Sequence, residues 1–560
     1  MSWTIRRDLG GFPIRWSESY AEKWLAEGYW RDETLADIAL RQTQTDPEKI
    51  LLIEGERPYS RAEIYNSALC LAGYFSSQGA KPGDVVAFQL PNWAESAIIA
   101  LAARMLGLVI NPIPPIYRET ELSYMLAATK AKFLFIPEQF RKCDYPKMVA
   151  AVAPELSELK KVVVVRGEID TELSLPQTTW LDVVTSEPVS LLPKINPANA
   201  FLVMFTSGTT GKAKGVIQTH YGFGYKARQM VEAWGVGAND VIFMPSPVTH
   251  ITGAIWAFDI PWISGASAVL LDIWNVVDGI NAIRSHGCTI SGGATPFLQQ
   301  LLAATTDDRA ALASLRTFFC GGTSVSPELI KRVSEEFPNC LFFRAYGSTE
   351  MMTVTLGIDN KFLADYGAET DGIVKPPMQV KLIDSEGNEI TEDGVEGEIF
   401  AFGPEQFVGY LDTENNIGAF DQADFFDMGD LGQWRDGNYL TITGRKKDII
   451  IRSGENISPK EVEDLLMEHP AVAEVAIVAM PSAATGEMGC AFVILNKGEY
   501  FSREEMVSFL NGAGLAKQKF PEWLEIVDDL PRVPSGKVRK DVLRIEAKEI
   551  AEKLTRVSHD

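Results

Sequence analysis

The fold can be worked out from one stretch, Phe205-Thr206-Ser207-Gly208-Thr209-Thr210-Gly211-Lys212-Ala213-Lys214-Gly215, which lies between two apolar runs typical of buried strands. Its composition suits a loop around an anion. Glycines let backbone N–H groups approach, hydroxyl groups donate hydrogen bonds, and lysines neutralise charge. It is not a Walker-type phosphate loop, because Gly208 and Gly211 are too close together and no Ser or Thr follows Lys212. A solvated hairpin turn is the alternative interpretation.

Strands and helices are predicted to alternate on both sides of this stretch. Before it, strands at 85–90, 108–110 and 133–136 alternate with two helices, the first predicted to be capped by Asn92 and ended by Gly107. After it, further strands are predicted at 240–245, 268–271, 317–320 and 341–345. This alternation is typical of helix-covered parallel sheets, which bind ligands at the carboxyl ends of their strands.

The pattern changes twice towards the C-terminus. From about residue 380, short strands joined by turns predict an antiparallel subdomain. After Gly444, capping boxes are predicted at Ser458 and Ser502 in a small α+β domain. We therefore predict an α/β fold with a large N-terminal domain over 1–444, including the antiparallel subdomain. A hinge over 445–449 then joins it to a small mobile α+β domain over 450–560.

Composition limits the class of partner. The 560 residues carry a net charge of −23, which argues against nucleic acid as the main partner. The longest apolar stretch, 97–110, contains Arg104 and is shorter than the ~20 residues that span a bilayer. The six cysteines are far apart and the N-terminus lacks an apolar signal core, so a cytoplasmic location is expected.

Polar residues follow several of the predicted strands. Glu350 closes the run 346–350 after one strand, where a carboxylate suits a metal-bound phosphate but could equally be solvated. Asp430 and Arg445 suit ribose hydroxyls or phosphate oxygens, and both could instead lie in surface turns. Lys537 lies in a proline-rich turn that could deliver an ammonium group, although most surface lysines do not do so. His250 follows a strand and could be a satisfied core histidine.

Taken together and in this order, these stretches resemble the adenylate-forming superfamily, which comprises acyl- and aryl-CoA ligases, stand-alone adenylation enzymes and luciferases. The resemblance covers residues from about 50 to 545. Within the superfamily, 293–298 and 270–275 look most like medium-chain and cyclohexanecarboxylate-type acyl-CoA ligases.

The resemblance implies roles for named positions. The ATP-binding set is Thr206, Ser207, Gly208, Thr209, Thr210, Gly211, Lys212, Lys214, Gly321, Gly322, Thr323, Tyr346, Gly347, Asp430 and Arg445. The catalytic set is Lys537, Thr349, Glu350 and His250, and the Mg²⁺ ligands are Glu350 and Thr206. The acyl pocket is lined by His250, Ile251, Ala254, Gly293, Ala294, Met351 and Met352. The hinge residue is Lys447, and the CoA tunnel is lined by Ser453, Gly454 and Glu455.

Two positions depart from the family's patterns. Ala213 stands where the phosphate loop usually has proline, which should make the loop more mobile without removing a contact. The opening around 27–35 resembles catechol-type aryl acid adenylating enzymes, but those have Asn directly after the His250 position and this chain has Ile251. That difference argues against a hydroxylated aryl acid.

The expected reaction joins a carboxylic acid to CoA with ATP and Mg²⁺. Lys537 would serve the first step, which forms an acyl-adenylate and releases pyrophosphate. A swinging C-terminal domain would then admit the thiol, which displaces AMP. The apolar pocket favours a medium-chain, alicyclic or aromatic acid over an amino acid or dicarboxylate.

Other interpretations remain open. The chain ends about 20 residues after Lys537 with no carrier domain, so CoA is the expected acceptor. A separate carrier protein is the alternative. A non-catalytic ATP sensor and a luciferase-like oxygenase are further alternatives. The oligomeric state stays open between monomer and homodimer.

Overall fold

The computed structural model describes residues 3–174, 176–206, 212–322, 325–482, 484–533 and 536–557, with side chains to residue 553. Residues 207–211 of the phosphate stretch and Thr323 therefore lie outside the described residues.

The first sheet has seven strands and is parallel except at one edge, as the alternating pattern predicts. In spatial order its strands are Gln177–Thr179, Lys161–Val165, Phe133–Pro137, Val85–Phe88, Val109–Pro112, Ala200–Thr206 and Lys214–Thr219. The last two are antiparallel to each other, with Thr206 opposite Lys214. The phosphate stretch therefore joins a hairpin at the edge of this sheet.

The second sheet also has seven strands, and its last strand is the antiparallel one. In spatial order they are Leu341–Arg344, Thr317–Cys320, Ile290–Gly293, Val241–Phe243, Ser267–Leu270, Ile50–Glu54 and Arg57–Ser60. The first five are parallel to one another, so their carboxyl ends lie at one edge of the sheet.

Helices cover both sheets, and the largest apolar core lies between the sheets around two of these helices, Arg61–Ser77 and Ala94–Leu106. The other α-helices up to residue 369 are Glu18–Ala26, Leu35–Thr45, Glu119–Thr129, Tyr145–Val152, Trp180–Val184, His220–Ala233, Ile251–Ala254, Ile260–Ser264, Val276–His286, Thr295–Ala304, Pro327–Glu336 and Ala364–Glu369. A single π-helical turn, Ile255–Asp259, joins two of them. The 3₁₀ turns are Ala153–Glu155, Arg309–Leu312, Lys361–Leu363, Thr413–Asn416, Lys446–Asp448 and Lys517–Lys519.

The predicted cap at Asn92 is wrong. The helix begins at Ala94, and its N-cap is Trp93. The Asn92 side chain instead donates to the Ser246 carbonyl across 3.1 Å and accepts from the Val248 N–H across 2.8 Å. A buried amide group can form its hydrogen bonds with a loop of the other sheet as well as with its own helix. A local capping pattern does not show which of these partners it binds. Gly107 does end the helix, with a φ of 68°.

The third sheet has five strands, antiparallel throughout, as predicted from residue 380 onwards. They are Glu389–Ile390, Gln379–Ile383, Gly397–Phe402, Phe426–Arg435 and Tyr439–Arg445.

The C-terminal sheet follows, with its own apolar core. Its strands are Glu455–Ile457, Ile450–Arg452, Gly486–Leu495, Val472–Ser482 and Trp523–Ile526, and its helices are Pro459–Leu466, Arg503–Gly512 and Lys540–Val557. The capping box at Ser502 is confirmed. The one at Ser458 is wrong, because the Ser458 hydroxyl donates to the Thr443 carbonyl across 2.6 Å instead.

The aromatic N-terminal segment packs against the rest of the chain. Trp30 stacks on Tyr221 at 4.7 Å and donates its indole N–H to the Pro404 carbonyl across 2.9 Å. Two small antiparallel sheets complete the structure: Thr4–Arg7 with Pro13–Trp16, and Gln139–Phe140 with Cys143–Asp144.

Within the described residues, every helix falls short of the length and apolar character needed to cross a membrane.

Candidate active site

Four adjacent strands of the second sheet end at one edge, and each leads directly into predicted site residues. In spatial order these strands precede Tyr346, Gly321, Ala294 and His250. Gly293 pairs with Cys320, and Cys320 pairs with Arg344. The parallel register therefore brings residues that are distant in sequence to one cleft edge.

The loop 346–355 closes on itself at this edge. The Tyr346 carbonyl accepts hydrogen bonds from the N–H groups of Val354, at 2.8 Å, and Thr355, at 3.2 Å. Gly347 makes the closure possible, since a β-carbon there would lie 2.4 Å from the Met352 carbonyl oxygen.

Glu350 is held in this loop by a segment from the third sheet region. It is only 9% exposed, and Tyr410 donates a hydrogen bond to its Oε1 atom across 2.9 Å. The N–H of Phe407 donates to the Glu350 carbonyl across 2.9 Å. Burial and the adjacent carboxylate raise the pKa of Tyr410, so the phenol stays a donor. No described residue hydrogen-bonds to the other carboxylate oxygen, which is left for a ligand.

One flank of the phosphate stretch lies beside Tyr410, the hydrogen-bond partner of Glu350. The Lys214 ammonium group is 5.1 Å from the Tyr410 ring centroid, and the N–H of Leu411 donates to the Gly215 carbonyl across 2.8 Å. Thr206, at the other flank, lies 3.5 Å through its hydroxyl from the Lys214 carbonyl. Lys212 is exposed.

Asp430 is the centre of a three-residue group. Tyr346 donates its hydroxyl hydrogen to Asp430 Oδ2 across 2.6 Å, and Arg445 Nε lies 3.1 Å from Asp430 Oδ1. Burial and the Asp430 carboxylate raise the pKa of Tyr346 well above its usual value. Asp430 is 5% exposed, so a carboxylate with oriented partners faces the same cleft as Tyr346.

Lys537 reaches this group from the C-terminal region. A β-carbon built on Gly536, which has a φ of +87°, would lie 3.5 Å from the Ala294 methyl group. The turn therefore packs directly on the second sheet. Burial, and then the positive charge of Arg445, lower the pKa of Lys537 to about 7, while Asp430 opposes this shift. The charges of both residues therefore act on the ammonium group.

The predicted acyl-pocket residues lie around the same edge. Ile251, Ala254, Ala294 and Met351 are at most 5% exposed, and Met352 is 9% exposed. Burial, with a smaller effect of the Lys537 charge, lowers the pKa of His250 to about 4, so this imidazole is neutral at pH 7. Its Nδ1 accepts the Thr252 N–H at 3.3 Å.

The predicted hinge is anchored on both sides. Lys446 forms ion pairs with Glu398, at 2.7 Å, and Asp427, at 3.2 Å, in the third sheet. Arg544 of the last helix forms an ion pair with Asp448 and donates to the Lys447 carbonyl across 3.3 Å. The two sets of contacts are therefore separated by one backbone link, from Lys446 to Lys447.

Ser453, Gly454 and Glu455 form an exposed turn, with Ser453 at a φ of +52°. The structure does not bring these three residues together with the group around Asp430 and Lys537.

Sequence reasoning missed several residues that support the site. Gln218 donates to the Thr349 carbonyl across 2.8 Å, and Tyr124 donates to the Ala213 carbonyl across 3.0 Å. Lys226 forms a buried ion pair with Glu405 at 2.6 Å. One signal was available: Lys226 lies four and eight residues before the apolar Met230 and Trp234 on one helical face, where a lone charge needs a partner.

Comparison with known proteins gives matches along most of the chain. The model of the AMP-binding enzyme family matches residues 40–411, and that of the AMP-binding enzyme C-terminal domain matches residues 461–537. The medium-chain fatty-acid–CoA ligase of Escherichia coli (strain K12) is 33% identical over 97% of this chain and 95% of its own length.

Two further proteins extend the comparison. The 2,3-dihydroxybenzoate-AMP ligase of Bacillus subtilis (strain 168) is 28% identical over 98% of this chain and 99% of its own length. The crystal structure of the anthranilate CoA ligase AuaEII with anthranoyl-AMP has a TM-score of 0.84 at 22% identity, covering 93% of this chain and 98% of that chain. That last likeness supports the fold.

Proposed function

Because the chain belongs to the AMP-binding enzyme family, in which it is an acyl-CoA ligase-type enzyme, we propose that it activates an apolar carboxylic acid with ATP and transfers it to CoA. The acid is of medium-chain, alicyclic or aromatic type. The products of the first step are an acyl-adenylate and pyrophosphate, and those of the second are an acyl-CoA and AMP. We propose the same division into domains as the sequence suggests: 1–444, a hinge over 445–449, and 450–560.

The observation that carries the proposal is the position of Lys537 against the N-terminal cleft. Its turn packs on Ala294, and the charges of Arg445 and Asp430 both act on its ammonium group. A cation at this place suits a step in which negative charge develops on a phosphate. An exposed lysine with no partner would give no such support.

In the first step, a carboxylate oxygen of the acid attacks the α-phosphorus of ATP. The new acyl–oxygen–phosphorus link forms while the bond to the β-phosphate oxygen breaks, and pyrophosphate leaves with the electron pair. Lys537 neutralises charge on the α-phosphate and the bridging oxygen. Asp430 accepts ribose hydroxyls, and neutral His250 borders the acyl group without adding a charge.

The residues present fit a magnesium ion. Glu350 offers a buried carboxylate with one oxygen hydrogen-bonded to Tyr410 and the other without a hydrogen bond to any described residue, and Thr206 adds a hydroxyl group at the flank of the phosphate stretch. Mg²⁺ prefers hard oxygen ligands and commonly takes one or two carboxylates with phosphate oxygens. When bound, the ion supplies charge neutralisation at the phosphates. Tyr410 orients Glu350 for that role.

In the second step, the CoA thiol sulfur attacks the acyl carbonyl carbon, and AMP leaves. Rotation about Lys447 would withdraw Lys537 and bring the exposed turn 453–455 to the cleft as the lining of the pantetheine tunnel. The anchors on Lys446 and Asp448 support this hinge, because they leave one short link free to turn.

The nature of the pocket lining supports an apolar acid. Apart from the neutral His250, the lining residues are small or apolar and buried, and the charge of Lys226 is already paired with Glu405. A second carboxylate or an α-amino group would be desolvated without a partner. The relative named as a medium-chain fatty-acid–CoA ligase agrees with this acid class.

The competing acceptor is a separate carrier protein, and the name of the 2,3-dihydroxybenzoate-AMP ligase relative mentions no CoA. Ile251 stands against the hydroxylated aryl substrate itself.

The test is ATP–pyrophosphate exchange with a panel of acids, followed by thioester formation with free CoA. We expect exchange with medium-chain, alicyclic or benzoic-type acids, and AMP release that requires CoA. Exchange without any CoA-dependent product would favour the carrier acceptor. Absence of exchange with every acid would overturn the proposal in favour of an ATP sensor.

A further inference from the structure

A buried ion pair lies behind the loop that carries Thr349 and Glu350. The side chains of Lys226 and Glu405 are 1% and 0% exposed, and their charged atoms are 2.6 Å apart. The Lys226 ammonium group also donates to Gln229 Oε1 across 2.5 Å and to the Thr353 carbonyl across 2.7 Å. The ammonium group therefore has two hydrogen-bond acceptors, one of which is the backbone of the loop, and a charged contact with Glu405.

The helix that carries Lys226 follows the loop backbone for more than one turn. Met230 accepts a weak hydrogen bond from the Thr353 hydroxyl at 3.8 Å, and Trp234 donates to the Leu356 carbonyl across 2.9 Å. Residues 226, 230 and 234 lie on one helical face. This face therefore fixes the part of the loop that follows Met351 and Met352.

Through Glu405, the ion pair is also linked to the segment on the other side of the loop. Glu405 lies two residues before Phe407, whose N–H donates to the Glu350 carbonyl, and five before Tyr410, which donates to the Glu350 side chain. A shift of Glu405 would therefore move the segment that holds Glu350. Both carboxylate oxygens of Glu405 are buried without a hydrogen-bond partner among the described residues, so the 2.6 Å ion pair with Lys226 is the contact that offsets the buried charge.

We propose that the Lys226–Glu405 ion pair is a positioning device that joins the helix at 226, the loop 349–356 and the segment 404–411, and thereby fixes Glu350 and the acyl-lining methionines relative to each other. The role of the ion pair in catalysis rests on the proposed function. Lys226 and Glu405 act through the loop and touch no reacting atom.

A single substitution at Lys226 or Glu405 would not separate an effect on loop position from an effect on folding. Lys226→Met leaves a buried carboxylate without a counter-charge, which commonly destabilises a protein strongly, whereas replacing both partners with neutral residues is often tolerated. The double variant Lys226→Met/Glu405→Gln therefore removes the device while avoiding an unpaired buried charge. Its matched control is Arg104→Met/Asp259→Asn, which removes a second buried ion pair, 2.9 Å long with side chains 2% and 5% exposed.

The first measurement is hydrogen–deuterium exchange of the protein alone, without ATP or acid. We expect peptides covering 346–356 and 404–411 to exchange at least tenfold faster in the Lys226/Glu405 double variant, with the C-terminal sheet unchanged. The control double variant should leave these two regions at the wild-type rate. Wild-type exchange there in a folded Lys226/Glu405 double variant would overturn the proposal.

The second measurement is the Mg²⁺ concentration for half-maximal ATP–pyrophosphate exchange. We expect it to rise several-fold in the Lys226/Glu405 variant and to stay unchanged in the control. An unchanged Mg²⁺ requirement would overturn the catalytic part of the proposal. If the wild-type protein catalyses no exchange with any acid, the proposed function fails, while the hydrogen-exchange result still decides the structural part.

Discussion

Tyr410 and Glu350 are joined by a 2.9 Å hydrogen bond although 60 residues separate them, and both side chains are at most 9% exposed. The phenol orients the carboxylate, whose other oxygen has no hydrogen bond to any described residue. For Tyr410→Phe we expect about a tenfold loss of ATP–pyrophosphate exchange and a higher Mg²⁺ requirement. The protein should lose on the order of 1 kcal/mol of stability, since one buried acceptor loses its donor. Tyr439→Phe, a half-buried phenol in the third sheet, is the control and should change neither kinetic quantity.

Lys537→Ala separates the two half-reactions. The ammonium group is expected to act on charge that develops only at the α-phosphate, so pyrophosphate exchange should fall by at least a hundredfold. Conversion of a pre-formed acyl-adenylate to the thioester should stay within a few-fold of wild type. Stopped-flow assays of each half-reaction measure this, and an equal loss in both would exclude a role confined to adenylation.

The pH dependence of adenylation follows from the pKa of Lys537, which is lowered to about 7. The protonated form is the active one, so activity is lost as the pH rises. kcat/KM, which reports the free enzyme, should fall about tenfold per pH unit above pH 7. In Lys537→Arg the overall rate should be lower. The fall in kcat/KM above pH 7, which is the basic limb of the profile, should disappear because a guanidinium group stays charged. Persistence of the limb in the Arg variant would assign it to another group.

Lys447→Pro tests the hinge. Proline fixes φ at the one short link between the anchored Lys446 and Asp448. Adenylation should stay within a few-fold of wild type, and thioester formation should slow at least tenfold. Lys447→Ala removes the same side chain without stiffening the backbone and should retain both steps. Equal rates of thioester formation in the Pro and Ala variants would move the hinge elsewhere.

Ala213 allows a test of loop mobility. Tyr124 already holds its carbonyl at 3.0 Å, and Ala213→Pro would further restrict the backbone. We expect the KM for ATP to fall roughly two- to fivefold, the range of a typical backbone entropy effect. Ala213→Gly should shift the KM for ATP in the opposite direction. Initial rates at varied ATP measure both, and a higher KM in the proline variant would show that the native backbone conformation is incompatible with proline.

Much of the fold follows from local patterns in the sequence. The strands at 317–320 and 341–344 and the antiparallel region after residue 380 were predictable, because alternation of apolar strands and helices is a local property. Asn92 and Ser458 were predicted wrongly, since each side chain binds a distant backbone group in place of its own helix. A capping pattern does not show whether another element offers the side chain a competing hydrogen-bond partner.

The predicted site residues were identified from recognised motifs. The residues that hold them in position belong to no such motif. Tyr410, Gln218 and the Lys226–Glu405 pair act across sheets, and their partners are fixed only when strands from different parts of the chain are side by side. Lys226 was the one detectable case, because a charge on an apolar helical face requires compensation.

The double anchoring of the interdomain link also has a consequence for protein engineering. Lys446 belongs by its ion pairs to the body that would recognise the acid, and Asp448 belongs to the body that would present the acceptor. A recombination junction placed between these two residues would leave both sets of ion pairs intact. In the proposed reaction, acid preference and acceptor preference could then be inherited separately, so that modules from two ligases can be exchanged at a single peptide bond.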